Sequence, residues 1–112
     1  MSRITCLVLS LCLGLAAGAC TDDSSGITSE EVVCPPASTL NYNNFGQAFV
    51  TTHCLSCHAA KERPLLGSQA AVTANRAAII REAVISTRMP EDADMAIEDR
   101  RQLGEWLACG AP

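Results

Sequence analysis

With 112 residues the chain has room for one small domain and its extensions, which excludes a multi-layered enzyme built on a large core. A formal charge of −4, from eight Lys and Arg against twelve Asp and Glu, excludes the basic footprint of a nucleic-acid binder. Two Phe, one Tyr and one Trp are few aromatics for a core, whereas seven cysteines are many, so a staple or a bound group is expected to contribute to stability.

The first residues read as an address. Arg3 forms a minimal charged start, Ile4 to Ala17 is an apolar run, and Ala17-Gly18-Ala19 leads with small residues to Cys20. Residues 1–19 are therefore expected to be an export signal. Ala17 and Ala19 satisfy the small-x-small rule of ordinary secretory cleavage. Small residues directly before a cysteine also resemble a bacterial lipobox with Cys20 as the lipidated residue, although Ala17 stands where Leu is usual. Lipidation is the preferred reading. The run is shorter than the roughly 18 residues of a membrane span and is followed by Asp22-Asp23 rather than by basic residues, which argues against an uncleaved helix. Either cleavage places the remainder outside the cytoplasm. With Cys20 lipidated, the absence of Asp directly after it leans towards the outer membrane, with the domain facing the periplasm.

Residues 20–38 are polar, Ser-rich and aperiodic until Cys34-Pro35-Pro36, and read as a flexible tether. The domain proper is expected over 39–112. Its first helix should run from Tyr42 to His53, with Asn41 as cap and Tyr42, Phe45, Phe49 and Val50 on one face. Gly46 inside it costs about 1 kcal/mol relative to Ala, which points to close approach of another element.

That helix leads into Cys54-Leu55-Ser56-Cys57-His58, a Cys-x-x-Cys-His run, the signature of covalent c-type haem attachment. The spacing has a chemical reason. Two thiols one turn apart can add to the two vinyl groups of a porphyrin while the adjacent imidazole reaches the iron. The competing readings are half of a zinc site or a thioredoxin-like pair. Zinc would need further ligands, and His53 and His58 are the only histidines. A thioredoxin-like pair belongs beside a strand, and no strand pattern surrounds this one.

After the motif comes Ala59 to Gly67, containing Pro64-Leu65-Leu66, and then a helical stretch over Ala70 to Thr87 with Val72, Ile79, Ile80, Ala83 and Val84 as an apolar stripe. Met89-Pro90 follows. A proline pushes the residue before it out of helical space, so the Met89 thioether can lean away from its own chain. The last helix is expected from Ile97 to Ala108, with Asp94 as candidate cap, Leu103, Trp106 and Leu107 inside, and Gly110 as its stop.

Taken together, Gly46, Val50 and Cys54 at intervals of four, the Cys-x-x-Cys-His run, Pro64 to Gly67, Met89-Pro90 and the Leu103–Trp106 pair resemble class I c-type cytochromes. The likeness covers Asn41 to Cys109. With the cysteine at its start and the Cys34 and Cys109 pair, the chain looks like the small exported monohaem cytochromes of lipoprotein type. The resemblance implies an all-α cytochrome c-like fold whose N- and C-terminal helices cross around one covalently bound haem c. It implies Cys54 and Cys57 as attachment points, His58 as proximal iron ligand and Met89 as distal ligand. Pro64 would accept a hydrogen bond from His58, and Leu66 would lie against the porphyrin. Met95 is the rival distal ligand but lacks a following proline, and an adaptable core filler is the bland alternative for Met89. For Pro64 it is a simple helix stop.

Cysteine arithmetic then closes. Cys6 and Cys12 leave with the signal, Cys20 takes lipid, Cys54 and Cys57 hold haem, and Cys34 and Cys109 remain. In an exported protein two leftovers read as a disulfide, the alternative being two unrelated thiols.

The expected function is periplasmic electron transfer between redox protein partners by a monomeric, non-enzymatic carrier, with Lys61, Arg63 and Arg88 as a positive rim. If Met89 does not bind, a five-coordinate haem sensor or weak peroxidase is the alternative. An accessory haem module of a larger redox complex is another. A haem-free chain with so few aromatics is expected to be largely unfolded.

Overall fold

The computed structural model describes residues 22–112, and the expectations for the export signal and Cys20 lie outside them. Among the described residues the architecture is all-helical, with no strand. Five α-helices run in order: α1 (Gln47–His53), α2 (Leu55–His58), α3 (Gln69–Ala74), α4 (Arg76–Ile79) and α5 (Ile97–Ala108). A wide π-helical turn, Tyr42–Gly46, leads into α1, and a second, Ile80–Ile85, continues α4.

Asn41 caps the first helical stretch as its sequence position predicts. Its side chain accepts from the Asn44 amide at 2.9 Å, and the Asn44 side chain accepts in return from the Asn41 amide at 2.7 Å. This reciprocal box satisfies two amides that the helix itself leaves free.

The stretch expected as one helix over Ala70 to Thr87 is broken at Asn75. That residue leaves helical geometry (φ −107°, ψ 13°) and its side-chain amide donates to the Ala71 carbonyl at 2.8 Å. A short polar side chain that bonds the backbone locally competes with helix continuation. The helix also ends two residues early, because Ser86 is extended and pairs with Ser24.

The last helix occupies its expected span, but Asp94 does not cap it. The cap position is Ala96, which offers no side-chain acceptor. Asp94 lies too early in the chain for that role and instead places its charge near Arg100. At the other end, Gly110 takes φ +99°, the Ala111 amide donates to Trp106 and the Gly110 amide to Leu107, each at 3.0 Å. The left-handed residue turns the chain back so that these amides meet carbonyls of the last helical turn.

The core centres on α5. Trp106, Leu103 and Leu107 are fully buried, together with Val72 from α3 and Val84 from the second π turn. Phe49 and Val50 reach the same core from α1. At Gly46 the first helical stretch and α5 meet so closely that a β-carbon would fall on the Trp106 indole, touching Cζ2, Cη2 and Cε2. Tyr42 and Phe45 flank the same ring at centroid distances of 6.4 and 5.8 Å.

The described part of the expected tether is packed on the domain. The Ser25 amide donates to Ile85 at 2.8 Å, the Thr87 amide to Asp23 at 2.6 Å, and Ile27 is buried in the core. A short 3₁₀ turn, Ser29–Glu31, follows, with Arg101 on Glu31 at 3.3 Å. Val32 packs near Gly104, and Ser38 donates to Glu105 at 2.6 Å. The segment is a strap, fastened by the buried Ile27, by Val32 against the core and by the two backbone hydrogen bonds with Ile85 and Thr87. Cys34 and Cys109 are joined by a disulfide, with Cα atoms 4.7 Å apart.

Candidate functional site

Helix α1 ends at Cys54, whose backbone (φ −122°, ψ −38°) bends the chain before α2 resumes. The Cys57 and His58 amides both donate back to the Cys54 carbonyl, at 3.3 and 2.9 Å. One compact turn thus carries both thiols and the imidazole. Cys54 and Cys57 are unbonded and half-buried. Burial pushes the Cys54 thiol up to about 11, so it is protonated and neutral at physiological pH.

Beyond α2 the chain doubles back. Amides of Lys61 and Glu62 donate to the Cys57 carbonyl, and the Leu66 amide donates to the His58 carbonyl at 2.8 Å. This return brings the Pro64 carbonyl 2.8 Å from His58 Nδ1, with the Glu62 carbonyl at 3.2 Å. A carbonyl can only accept, so Nδ1 must carry the proton. His58 is therefore fixed with its Nε2 lone pair free, the tautomer a metal-binding imidazole needs, in the arrangement that outer partners of ligating histidines usually provide. Leu66 is buried directly after this turn.

The neighbouring histidine is different. His53 stacks on Phe49 with ring centroids 4.5 Å apart and behaves as part of the aromatic face formed by Phe45 and Phe49. Among the described residues no group of three or more His, Cys, Asp or Glu is gathered so that it could hold a metal ion.

Met89 is half-buried against the core, and its two backbone polar groups are both engaged. Its amide donates to the Glu82 carbonyl at 2.9 Å and its carbonyl accepts from Arg100 at 2.9 Å. Met95, the rival, is more deeply buried and is a core side chain. Beside this return lies an open cavity of about 510 Å³, lined by Thr87, Pro90, the acidic run Glu91 to Asp94, Met95 and Arg100.

The expected positive rim is reduced. Arg88 lies 3.5 Å from Asp23 and 3.6 Å from Glu82, so the strap supplies a counter-charge that the sequence order hides. Its neighbour Glu82 is held below the ordinary carboxylate value, mainly by the Arg81 hydrogen bond and then by the Arg81 and Arg88 charges. Lys61 and Arg63, on the exposed turn after α2 with Glu62 between them, carry the remaining positive charge. Sequence reasoning missed Arg100. The signal was present: Arg100 is spaced three and seven residues before Leu103 and Leu107, on the inner face of α5.

Compared with known proteins, the chain matches no family model, no curated protein and no solved structure.

Proposed function

We propose that the chain is an exported electron carrier that holds one haem c covalently through Cys54 and Cys57. His58 and Met89 would ligate its iron. The observation that carries this reading is the Nδ1 hydrogen bond from His58 to the Pro64 carbonyl inside a Cys-x-x-Cys-His turn. Two free thiols and an imidazole with a fixed tautomer form a donor set that fits a haem, whereas a structural zinc would need further ligands. When bound, the haem supplies a one-electron Fe(II)/Fe(III) couple.

The residues of the chain do the rest. Pro64 orients the imidazole and strengthens its basicity through the shared proton. Leu66 and the Phe45–Phe49 face would shield the bound group from water, and a neutral Met89 thioether would favour the reduced state. The first helical stretch, meeting α5 at Gly46, would form one wall of the haem site. The Cys34–Cys109 disulfide fits an oxidising compartment and hence export, with Cys20 as the lipid attachment point. Partners are redox proteins approaching the side that bears Lys61 and Arg63.

Oxidised and reduced visible spectra of the matured holoprotein, with and without carbon monoxide, test the reading against Met89→Ala. A low-spin spectrum with a weak far-red iron–thioether band, lost in Met89→Ala, is expected. A high-spin spectrum that shifts readily with carbon monoxide would overturn Met89 as ligand and favour the sensor or peroxidase alternative.

A further inference from the structure

Arg100 is the one charged side chain that is buried among the described residues, at 4% exposure. No carboxylate pairs with it directly. Its Nη1 instead donates to three backbone carbonyls, Ala83 at 2.6 Å, Met89 at 2.9 Å and Ser86 at 3.2 Å. Ala83 lies within the Ile80–Ile85 turn, and Ser86 and Met89 lie on the return that follows it. Ala83 and Ser86 also lie at the carbonyl end of that turn, where a cation is favoured.

Burying a guanidinium is expensive, and an apolar side chain of similar volume commonly packs as stably. Desolvation accordingly pulls the Arg100 pKa down, with Asp94 opposing. What a guanidinium supplies and a hydrocarbon does not is fixed direction: one nitrogen gathers carbonyls six residues apart into a single cluster. Met89 is the last of them. Its amide is already tied to Glu82, so the Arg100 bond fixes the second backbone polar group of the same residue.

Resting on the functional reading above, we propose that Arg100 is a positioning residue for Met89, holding the 83–89 return so that the thioether stays presented to the haem iron. Without that clamp the return remains helical up to Ile85, and Met89 is held by its Glu82 bond alone, so the thioether swings away more readily. The sixth position then opens to competing ligands.

The test uses matured holoprotein and exogenous imidazole as the probe, alongside the far-red band and denaturant stability. In Arg100→Gln, imidazole should bind at least tenfold more tightly than in the parent, and the iron–thioether band should weaken. Arg100→Lys, which keeps a charged donor, should lie between. Arg101→Gln, which removes the neighbouring surface cation paired with Glu31, should match the parent. Imidazole affinities within twofold of the parent in both Arg100 variants would overturn the proposal, even if stability falls. So would failure of both to mature, since Arg100 would then be a folding residue. A parent protein without the thioether band would defeat the ligand reading itself, and the proposal with it. A normal parent with unresponsive variants would defeat the proposal alone.

Discussion

Gly46 shows how one missing carbon sets the distance between two helices. Replacing a helical glycine by alanine ordinarily gains about 1 kcal/mol. Here the added β-carbon would land on the Trp106 indole, and that ring has nowhere to go. It is fully buried, flanked by Tyr42 and Phe45, and its Nε1 donates to the Pro112 carbonyl at 3.3 Å. Overpacking of this kind costs about 1 to 3 kcal/mol and more where neighbours are fixed. Gly46→Ala is therefore expected to lower stability by about 2 kcal/mol despite its propensity gain, measured by urea unfolding. Combined with Trp106→Leu, which removes the obstructing edge, the same substitution should cost little. Equal costs in both backgrounds would show that the indole is not the obstacle.

At the level of elements, the strap decides between two views of residues 22–33. A tether would tolerate almost any substitution, whereas Ile27 is 3% exposed within the core. Large-to-small changes at such sites cost about 2 to 5 kcal/mol. Ile27→Ala should fall in that range, and limited proteolysis should cut this segment only after the change. A variant as stable and as protease-resistant as the parent would restore the tether. The strap was illegible in the sequence because its apolar residues, Ile27, Val32 and Val33, show no period, and its pairing partners lie some sixty residues away at Ile85 to Thr87. The helices were legible because their signals are local: the Asn41 cap, the Gly110 stop and the periodic stripes. The turn around His58 was legible through the resemblance, whereas the Arg100 clamp was not, since a charge on an inner helix face reads as polar until its acceptors are known. Asn75 broke a helix that composition alone would extend.

Among the described residues burial is unevenly distributed, and this bears on the haem-free state that the proposed function implies. Few aromatics argue for a chain that waits for its haem before folding. Yet Trp106, Leu103, Leu107, Val72 and Val84 are fully buried, while α2 contributes no buried residue and Ala59 to Arg63 are exposed. The disulfide reinforces the packed half. It joins residues 75 apart in sequence, and on the loop-entropy model a closure of that length contributes about 4 to 5 kcal/mol. Domains of this size are stable by only about 5 to 15 kcal/mol, so the bridge is comparable with the total. The haem-free, oxidised chain is therefore expected to retain amide-exchange protection in α5 and around Val84, with little over residues 54–63. Reduction, or Cys34→Ser with Cys109→Ser, should abolish the protection throughout. On the proposed function, haem binding would then have only residues around 54–63 left to order, and the two thiols and His58 would stay accessible during attachment while the α5 core is already formed. Uniformly fast exchange in the oxidised chain would mean that the core and the Cys-x-x-Cys-His turn fold together, with the haem as the common nucleus.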